Sequence, residues 1–374
     1  MTDHSEHQKT IQQSEHKKAC VNCGASLVYN PGTNHIKCNY CGHEEVITEP
    51  ISEFQELELY PYLEQMGSQS YTEKISLLNC KSCGANQHVE ENYKSLHCVY
   101  CSEPLITEES FEEDWILPGA ILPFQFSNKQ AVIIFQKWIK SLWFAPNILK
   151  KTSLQAHRLK GLYLPFWTFD AQLYGSYIGQ RGDYYYEDES YTTYENGERV
   201  TKTRQVRKTD WSYASGNISG FIDDTLINAS NQHKGKIPSR VYNWNLNRLE
   251  TFDSKYLAGF VTEKYTLSLK NGHLESKGEA RRIADRWARN DIGGDTQRVH
   301  SLNFNLSEET FKHILLPIYI SSYTYKNKQY YFYINGQSGT IYGKRPYSFW
   351  KIFFAVLLGI ILIASIVLIV KNSQ

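Results

Sequence analysis

Eight cysteines fall into two sets of identical spacing. The first is Cys20-Val-Asn-Cys23 with Cys38-Asn-Tyr-Cys41, and the second is Cys80-Lys-Ser-Cys83 with Cys98-Val-Tyr-Cys101. They are all the cysteines of the 374-residue chain, and the second set follows the first by 60 residues at every position. A Cys-x-x-Cys pair grips one side of a metal ion. A second pair carried in by a hairpin completes a tetrahedral four-sulfur site, the geometry Zn²⁺ takes. Each first pair continues as Cys-Gly-Ala, at Gly24 and Gly84. A glycine there lets the backbone turn tightly and aim its N–H groups at sulfur. Two zinc ribbons made by duplication are therefore expected, each holding one structural Zn²⁺ on four cysteines. Two disulfides per repeat or free core thiols account for the spacing less well, and iron also accepts four thiolates.

Short strands must bring the pairs together, and alternation places them at residues 26–29, 35–37, 87–90 and 95–97. His35, His43, His88 and His97 lie nearby. With four thiolates already present at each site, they read as surface histidines. Four-coordinate sites leave no open position for catalysis. The chain also lacks a Gly-x-x-x-x-Gly-Lys-Ser/Thr loop and a His-Glu-x-x-His pair, and Gly336-Gln-Ser-Gly339 falls short of a nucleophile elbow. No cysteine is left over as a nucleophile. The expectation is a protein that is not an enzyme, with no small-molecule substrate identified.

The net charge of +1 hides a split: residues 1–110 carry a net −9 and residues 111–346 a net +8. Acidic ribbons are poorly suited to lying along phosphates. Reduced thiolates point to a reducing compartment, and the polar residues 1–18 carry no apolar signal segment and read as a disordered leader. At the other end, Ile352–Val370 is 19 residues without a charge, preceded by Phe349 and Trp350. As a helix it spans about 28 Å, enough for a hydrocarbon core. Lys344, Arg345 and Lys351 precede it and only Lys371 follows. The positive-inside bias then places the N-terminal bulk in the cytoplasm and the C-terminus outside, in a single-pass protein of the cell membrane.

Between these ends the fold class expected is α+β: two tandem small β zinc ribbons, a mixed α+β middle region and one C-terminal transmembrane helix. The segments are a leader 1–18, ribbon 1 at 19–48, a linker 49–76, ribbon 2 at 77–108, the α+β region 109–346 and the membrane helix 347–371. Within the linker, 53–67 reads as a short amphipathic helix interrupted at Pro61. Residues 128–143 read as an amphipathic helix capped by Ser127 or Asn128, with Ala131, Ile134, Phe135, Trp138 and Leu142 inward. Residues 272–290 read as a second, basic helix with Leu274, Ile283, Ala284, Trp287 and Ala288 inward. Leu159–Asp170 is an aromatic strand in which Pro165 marks an edge or bulge. Residues 171–213 form a tyrosine-rich hairpin turning at Asn196-Gly197. Its return arm carries Arg199, Lys202, Arg204, Arg207 and Lys208, which suit a solvated hairpin, an anionic membrane surface or a nucleic acid. An antiparallel meander occupies 314–343. Leu164-Pro165-Phe166-Trp167 and Leu316-Pro317-Ile318-Tyr319 each follow a helix and begin an aromatic strand, an echo that hints at two related halves.

The ribbons, the Leu-Pro-Phe-Trp-Thr-Phe-Asp-Ala strand at 164–171, the Asn335-Gly-Gln-Ser-Gly339 turn and the terminal helix together resemble a bacterial family. It is the family of membrane-anchored double zinc-ribbon proteins (YdjG-like), often labelled TFIIB-type zinc ribbon or primosomal helicase-like. The ATPase motifs a helicase needs are missing. The resemblance implies a membrane complex acting with phage-shock-A-type or SPFH/virion-core-like proteins in envelope stress. The function expected is thus a membrane-tethered scaffold or adaptor that recruits cytosolic partners. A membrane-associated nucleic-acid-binding protein is the alternative.

Overall fold

The computed structural model describes residues 19–48, 56–64, 72–81, 86–88, 95–98, 104–106, 111–147, 159–195, 197–230, 237–326 and 328–372. The expected leader 1–18 lies outside them, as do Cys83 and Cys101 of the second cysteine set.

Strands β1 (Leu27–Tyr29), β2 (His35–Cys38) and β3 (Glu44–Val46) form a small antiparallel sheet. The two-residue β4 (Leu57–Glu58) leads into α1 (Leu59–Glu64). Pro61 sits in the first turn of α1, where the N–H it lacks has no intrahelical acceptor. Next come β5 (Thr72–Asn79), β6 (Asn86–His88), β7 (Ser95–His97), β8 (Pro104–Ile106), β9 (Phe111–Ile116) and β10 (Ala120–Ile121). β7 and β8 pair with each other, whereas β5, β6, β9 and β10 join the main sheet of 12 strands.

That sheet is built on three long strands: β11 (Lys160–Glu195), β12 (Glu198–Asn228) and β15 (Thr296–Tyr325). β11 is central, antiparallel to β12 on one side and to β15 on the other. It passes through three environments. Residues 162–171 are buried without interruption, Leu173 and Tyr177 alternate with exposed Tyr174 and Ile178, and almost everything past Asp183 is exposed. Burial on both faces, then on one, then on neither is what its composition encodes: a run of large apolar residues, then alternation, then tyrosine with charge. The short β13 (Glu250–Thr251) and β14 (Val261–Glu263) lie between β12 and β15 in the chain. After β15, β16 (Lys328–Asn335) and β17 (Ile341–Gly343) continue as the expected meander.

Pro165 is a correction: it lies in a central strand, not at an edge. It pairs with Leu315 of β15, and its carbonyl accepts from Ala229 N at 3.1 Å. On that side β14 pairing stops at Tyr163 and β12 pairing starts at Phe166, so the missing N–H falls in a gap between partners. The two echoing segments are direct neighbours, with Leu164 opposite Leu316. Helix–strand–strand occurs twice, once through β11 and β12 and once through β15 and β16.

The helices are α2 (Asn128–Ser141) and α3 (Leu269–Ile292). α2 opens on a Ser127/Gln130 capping box and buries Ala131, Phe135 and Ile139. It ends at Ser141 rather than Trp143, which is 77% exposed. α3 begins three residues before expectation, capped by Ser268, and runs along the long strands. Gly272, Ser276, Ala280, Ala284 and Ala288, four apart, form its buried stripe, and Leu274 is exposed instead of inward. Small residues at that spacing let the helix lie close to the sheet. A Cβ on Gly272 would stand 2.8 Å from Trp167, and one on Gly220 2.7 Å from Trp287. The basic residues of α3 are partly paired on their own helix, Arg282 with Glu279 and Arg289 with Asp285.

The last helix, α4 (Phe349–Asn372), leaves its apolar side chains exposed along its length. Phe349–Lys371 is 23 residues whose most apolar 18-residue window has mean hydropathy 3.3 and is not buried, long and apolar enough to cross a membrane. Its start is tied to the loop after α2. Ser348 N donates to Phe144 O at 2.8 Å, and Lys351 Nζ donates to Trp143 O and Ala145 O at 3.1 and 2.8 Å.

Candidate metal centre

The first cysteine set converges. One ligand atom from each of Cys20, Cys23, Cys38 and Cys41 lies within 4.8 Å of all the others. Cys20 Sγ is 3.4 Å from Cys41 Sγ, and Cys23 Sγ is 3.5 Å from Cys38 Sγ. A tetrahedral ion with bonds of about 2.3 Å to sulfur requires edges of roughly 3.8 Å. The cluster can therefore hold a metal ion after a few tenths of an ångström of expansion.

Both Cys-x-x-Cys turns use one backbone design. Gly24 N donates to Cys20 O at 2.8 Å and Gly42 N to Cys38 O at 3.0 Å. Cys20 N donates to Ala25 O, and Cys38 N to His43 O, each at 2.8 Å. Gly24 and Gly42 have φ of +73° and +78°, with open space where a Cβ would stand, so the left-handed backbone selects glycine here and crowding does not. The N–H groups of Cys41 and Tyr40 point at Cys38 Sγ and bring its thiol down to about 6. Cys23 and Cys41 are pushed up instead, by burial and by the neighbouring sulfurs, so the thiolate a metal needs is favoured at Cys38 alone of these three. His43 faces Asn22 and Glu45 rather than the sulfurs.

The ribbon is fused to the body. Tyr29 is buried, its N–H donates to Ala258 O at 2.9 Å, and its ring meets Tyr256 edge-on with centroids 5.2 Å apart. Gly32 N donates to Phe124 O at 2.9 Å. Leu27, Tyr29, Ile36 and Ile47 share one apolar core with Phe124, Tyr163 and Tyr319. The opposite side of the cluster faces solvent: Val21 and Tyr40, the spacer residues of the two turns, are 73% and 85% exposed.

For the second set, Cys80 and Cys98 are buried among apolar residues, while Cys83 and Cys101 lie outside the described residues. The strand pairing nevertheless repeats the first ribbon at an offset of 60. Ala19 opposite Ser26 becomes Asn79 opposite Asn86. His35–Val46, Ile36–Glu45 and Lys37–Glu44 become Ser95–Ile106, Leu96–Leu105 and His97–Pro104. β5 and β6 then depart from the first ribbon by pairing with β9 and β14.

Sequence reasoning missed a buried polar cluster in the sheet. At Asp170 both neighbours of β11 carry an extra residue, between Thr225 and Ile222 in β12 and between Thr310 and Ser307 in β15. The two bulges place Asp224 and Glu308 at φ of 47° and 53°, left-handed without glycine. Asp170, Asp223 and Asp224 converge there, and Lys312 Nζ sits 2.8 Å from Asp224, 2.9 Å from Glu56 and 3.8 Å from Asp170. Burial lifts the Asp170 carboxyl to about 6, outweighing the Asp224 N–H and the more distant ammonium. Lys312 already supplies a cation to these carboxylates. Beside it, His273 Nε2 lies 2.6 Å from Glu309, which also accepts from Tyr60. His313, enclosed by Trp115, Trp167 and Tyr265, donates from Nδ1 to Ile116 O at 2.7 Å, and desolvation lowers it to about 4. The only signal in the sequence is charge inside an apolar strand pattern, at Asp170 and Lys312.

The hairpin arm is paired charge to charge. Residues 183–195 hold five acidic and no basic side chains, and 198–210 hold five basic and two acidic, a net −2. Antiparallel register sets the arms against each other. Glu189 bonds Arg204 at 2.8 Å, and Glu187 and Glu195 bond Lys208 and Lys202. Arg207 lies over Tyr184, 4.2 Å from the ring centre. The basic arm read from sequence is thus neutralised by its partner strand.

No family model matches the chain, and no solved structure does. The chain is 24% identical over 353 residues to the uncharacterized protein YdjG of Bacillus subtilis (strain 168), covering 89% of this chain and 91% of that protein.

Proposed function

We propose that the protein is a membrane-tethered scaffold whose cysteine sites are structural zinc centres and whose ribbons recruit a cytosolic partner. The observation that carries this reading is the two-sided first cluster. Its four thiolates leave no open coordination position, one side is sealed into the body, and the other presents Val21 and Tyr40 to solvent. A metal site closed to substrate and bearing exposed apolar residues at its tip suits adhesion rather than catalysis.

Zn²⁺ is the ion such a set of four thiolates suits, and it would fix the two turns relative to each other. The second set, Cys80, Cys83, Cys98 and Cys101, holds a second Zn²⁺ in the same way, a reading supported by the repeated strand register. The terminal helix crosses the cell membrane once with the N-terminal bulk in the cytoplasm. The family resemblance of the sequence makes a phage-shock-A-type or SPFH/virion-core-like protein the partner, in envelope stress.

The test is crosslinking of the full chain in native membranes with a Val21→Ser/Tyr40→Ser variant alongside. The expected outcome is a coat protein of that class recovered with the wild type and lost with the variant, at equal zinc content. Unchanged recovery would dismiss the ribbon tip as the recruiting surface. Recovery of nucleic-acid machinery would replace the scaffold reading altogether.

A further inference from the structure

A cleft of about 1170 Å³ opens between β16, β17 and the segment leading to α4. Its cations are Arg240, Lys326, Lys328, Lys344 and Arg345, and no carboxylate lines it among the described residues. The cations stand against tyrosines: Arg240 lies 4.5 Å from the centre of the Tyr342 ring, Arg345 5.4 Å from Tyr347, and Lys328 5.9 Å from Tyr330. Each ring face favours a cation and limits its rotamers, so the positive charge is held in place before any ligand arrives.

The location narrows the ligand. Tyr347, which lines the cleft, is two residues from the first residue of α4. Trp138 of α2 lines the other wall, and the loop after α2 is the one bonded to Ser348 and Lys351. That loop exposes Trp143 beside Phe349 and Trp350, which are 77%, 72% and 65% exposed. Amphipathic rings such as those of the two tryptophans gather at the headgroup level of a bilayer. A cleft with phosphate-binding cations and tyrosine hydroxyls therefore opens where headgroups lie.

We propose that this cleft binds the phosphate-bearing headgroup of an anionic lipid in the leaflet that α4 enters. The inference rests on reading α4 as a membrane span. Arg240 and Arg345 supply planar donor pairs that match phosphate oxygens, and Lys326 and Lys328 add point charge at the rim. A bound lipid fixes the sheet relative to the bilayer, which a single helix following a short connection does not.

The test uses the full chain in lipid nanodiscs containing phosphatidylcholine alone or mixed with phosphatidylglycerol. Native mass spectrometry counts lipids retained on the released protein, and flotation reports insertion separately. The wild type is expected to retain one phosphatidylglycerol and no phosphatidylcholine. Arg240→Ala/Lys328→Ala should lose about tenfold in apparent affinity with an unchanged thermal midpoint, and Lys270→Ala, on remote α3, should lose nothing. Equal retention of both lipids, or equal retention by both variants, overturns the site. Displacement of the lipid by millimolar inorganic phosphate overturns the lipid as the ligand. A chain that fails to float with the nanodisc overturns the span itself.

Discussion

At the scale of single residues, the cysteine turns and the buried charges make different demands. Cys38 is fully buried and its thiol is lowered by two backbone N–H groups, so it anchors the cluster. Cys38→Ser should remove one metal equivalent and lower the thermal midpoint by roughly 10 °C, because the ribbon shares its apolar core with the body. Metal analysis and a thermal melt check both. The pH response should come from two buried groups acting in opposite senses. His313 titrates near 4 in the fold against an ordinary 6.5, so acidification through that window favours the unfolded chain and stability falls. Asp170 titrates near 6 against an ordinary 3.8, so the fold takes up its proton first and gains stability as pH falls through that window. Asp170→Asn removes the gain. Its thermal midpoint should therefore drop more steeply than that of the wild type between pH 6 and 4.5, and parallel curves would refute the pairing.

At the scale of elements, what was legible in the sequence is what local pattern encodes. The cysteine spacing, the Ser127 cap, the turn at Gly197, the meander after 314 and the terminal apolar run all follow from periodicity or from residues with narrow conformational preference. What was hidden depends on partners distant in the chain. Leu274 reads as inward by hydrophobicity alone, yet the sheet selects the glycine and alanine stripe because close approach requires small side chains. Ala284→Leu, inserted into that contact, should cost about 1–3 kcal/mol of stability, measured by denaturant unfolding. The bulges at Asp170 were invisible because the extra residues lie in other strands, and no sequence pattern marks Asp224 or Glu308 as left-handed. The charge of the hairpin misled for the same reason: a basic strand is basic only until its acidic partner is set against it. Replacing residues 187–206 with an Asn-Gly turn should leave the thermal midpoint within about 2 °C, since the described residues among them are exposed and bond chiefly each other and the adjoining Lys208.

At the scale of the whole molecule, the ends of β11 have separate surroundings. Lys160 at its start pairs with Ile320, and the β16–β17 meander and the entry to α4 lie beside that end. If α4 spans the membrane as proposed, a tag after Lys371 should be reached by antibody on intact cells, and an N-terminal tag only after permeabilisation. The reverse pattern would invert the topology. From Lys160 the strand runs 36 residues to the hairpin tip, a contour of order 100 Å at about 3.3 Å per residue. The last third is a two-stranded rod past the final β15 partner at Gly182. In the membrane-tethered scaffold proposed above, such a rod would work as a stand-off gauge. A small cytosolic protein close to the bilayer would not meet its tip, whereas a coat or filament layered at that height would meet many tips at once, each adding avidity to the next.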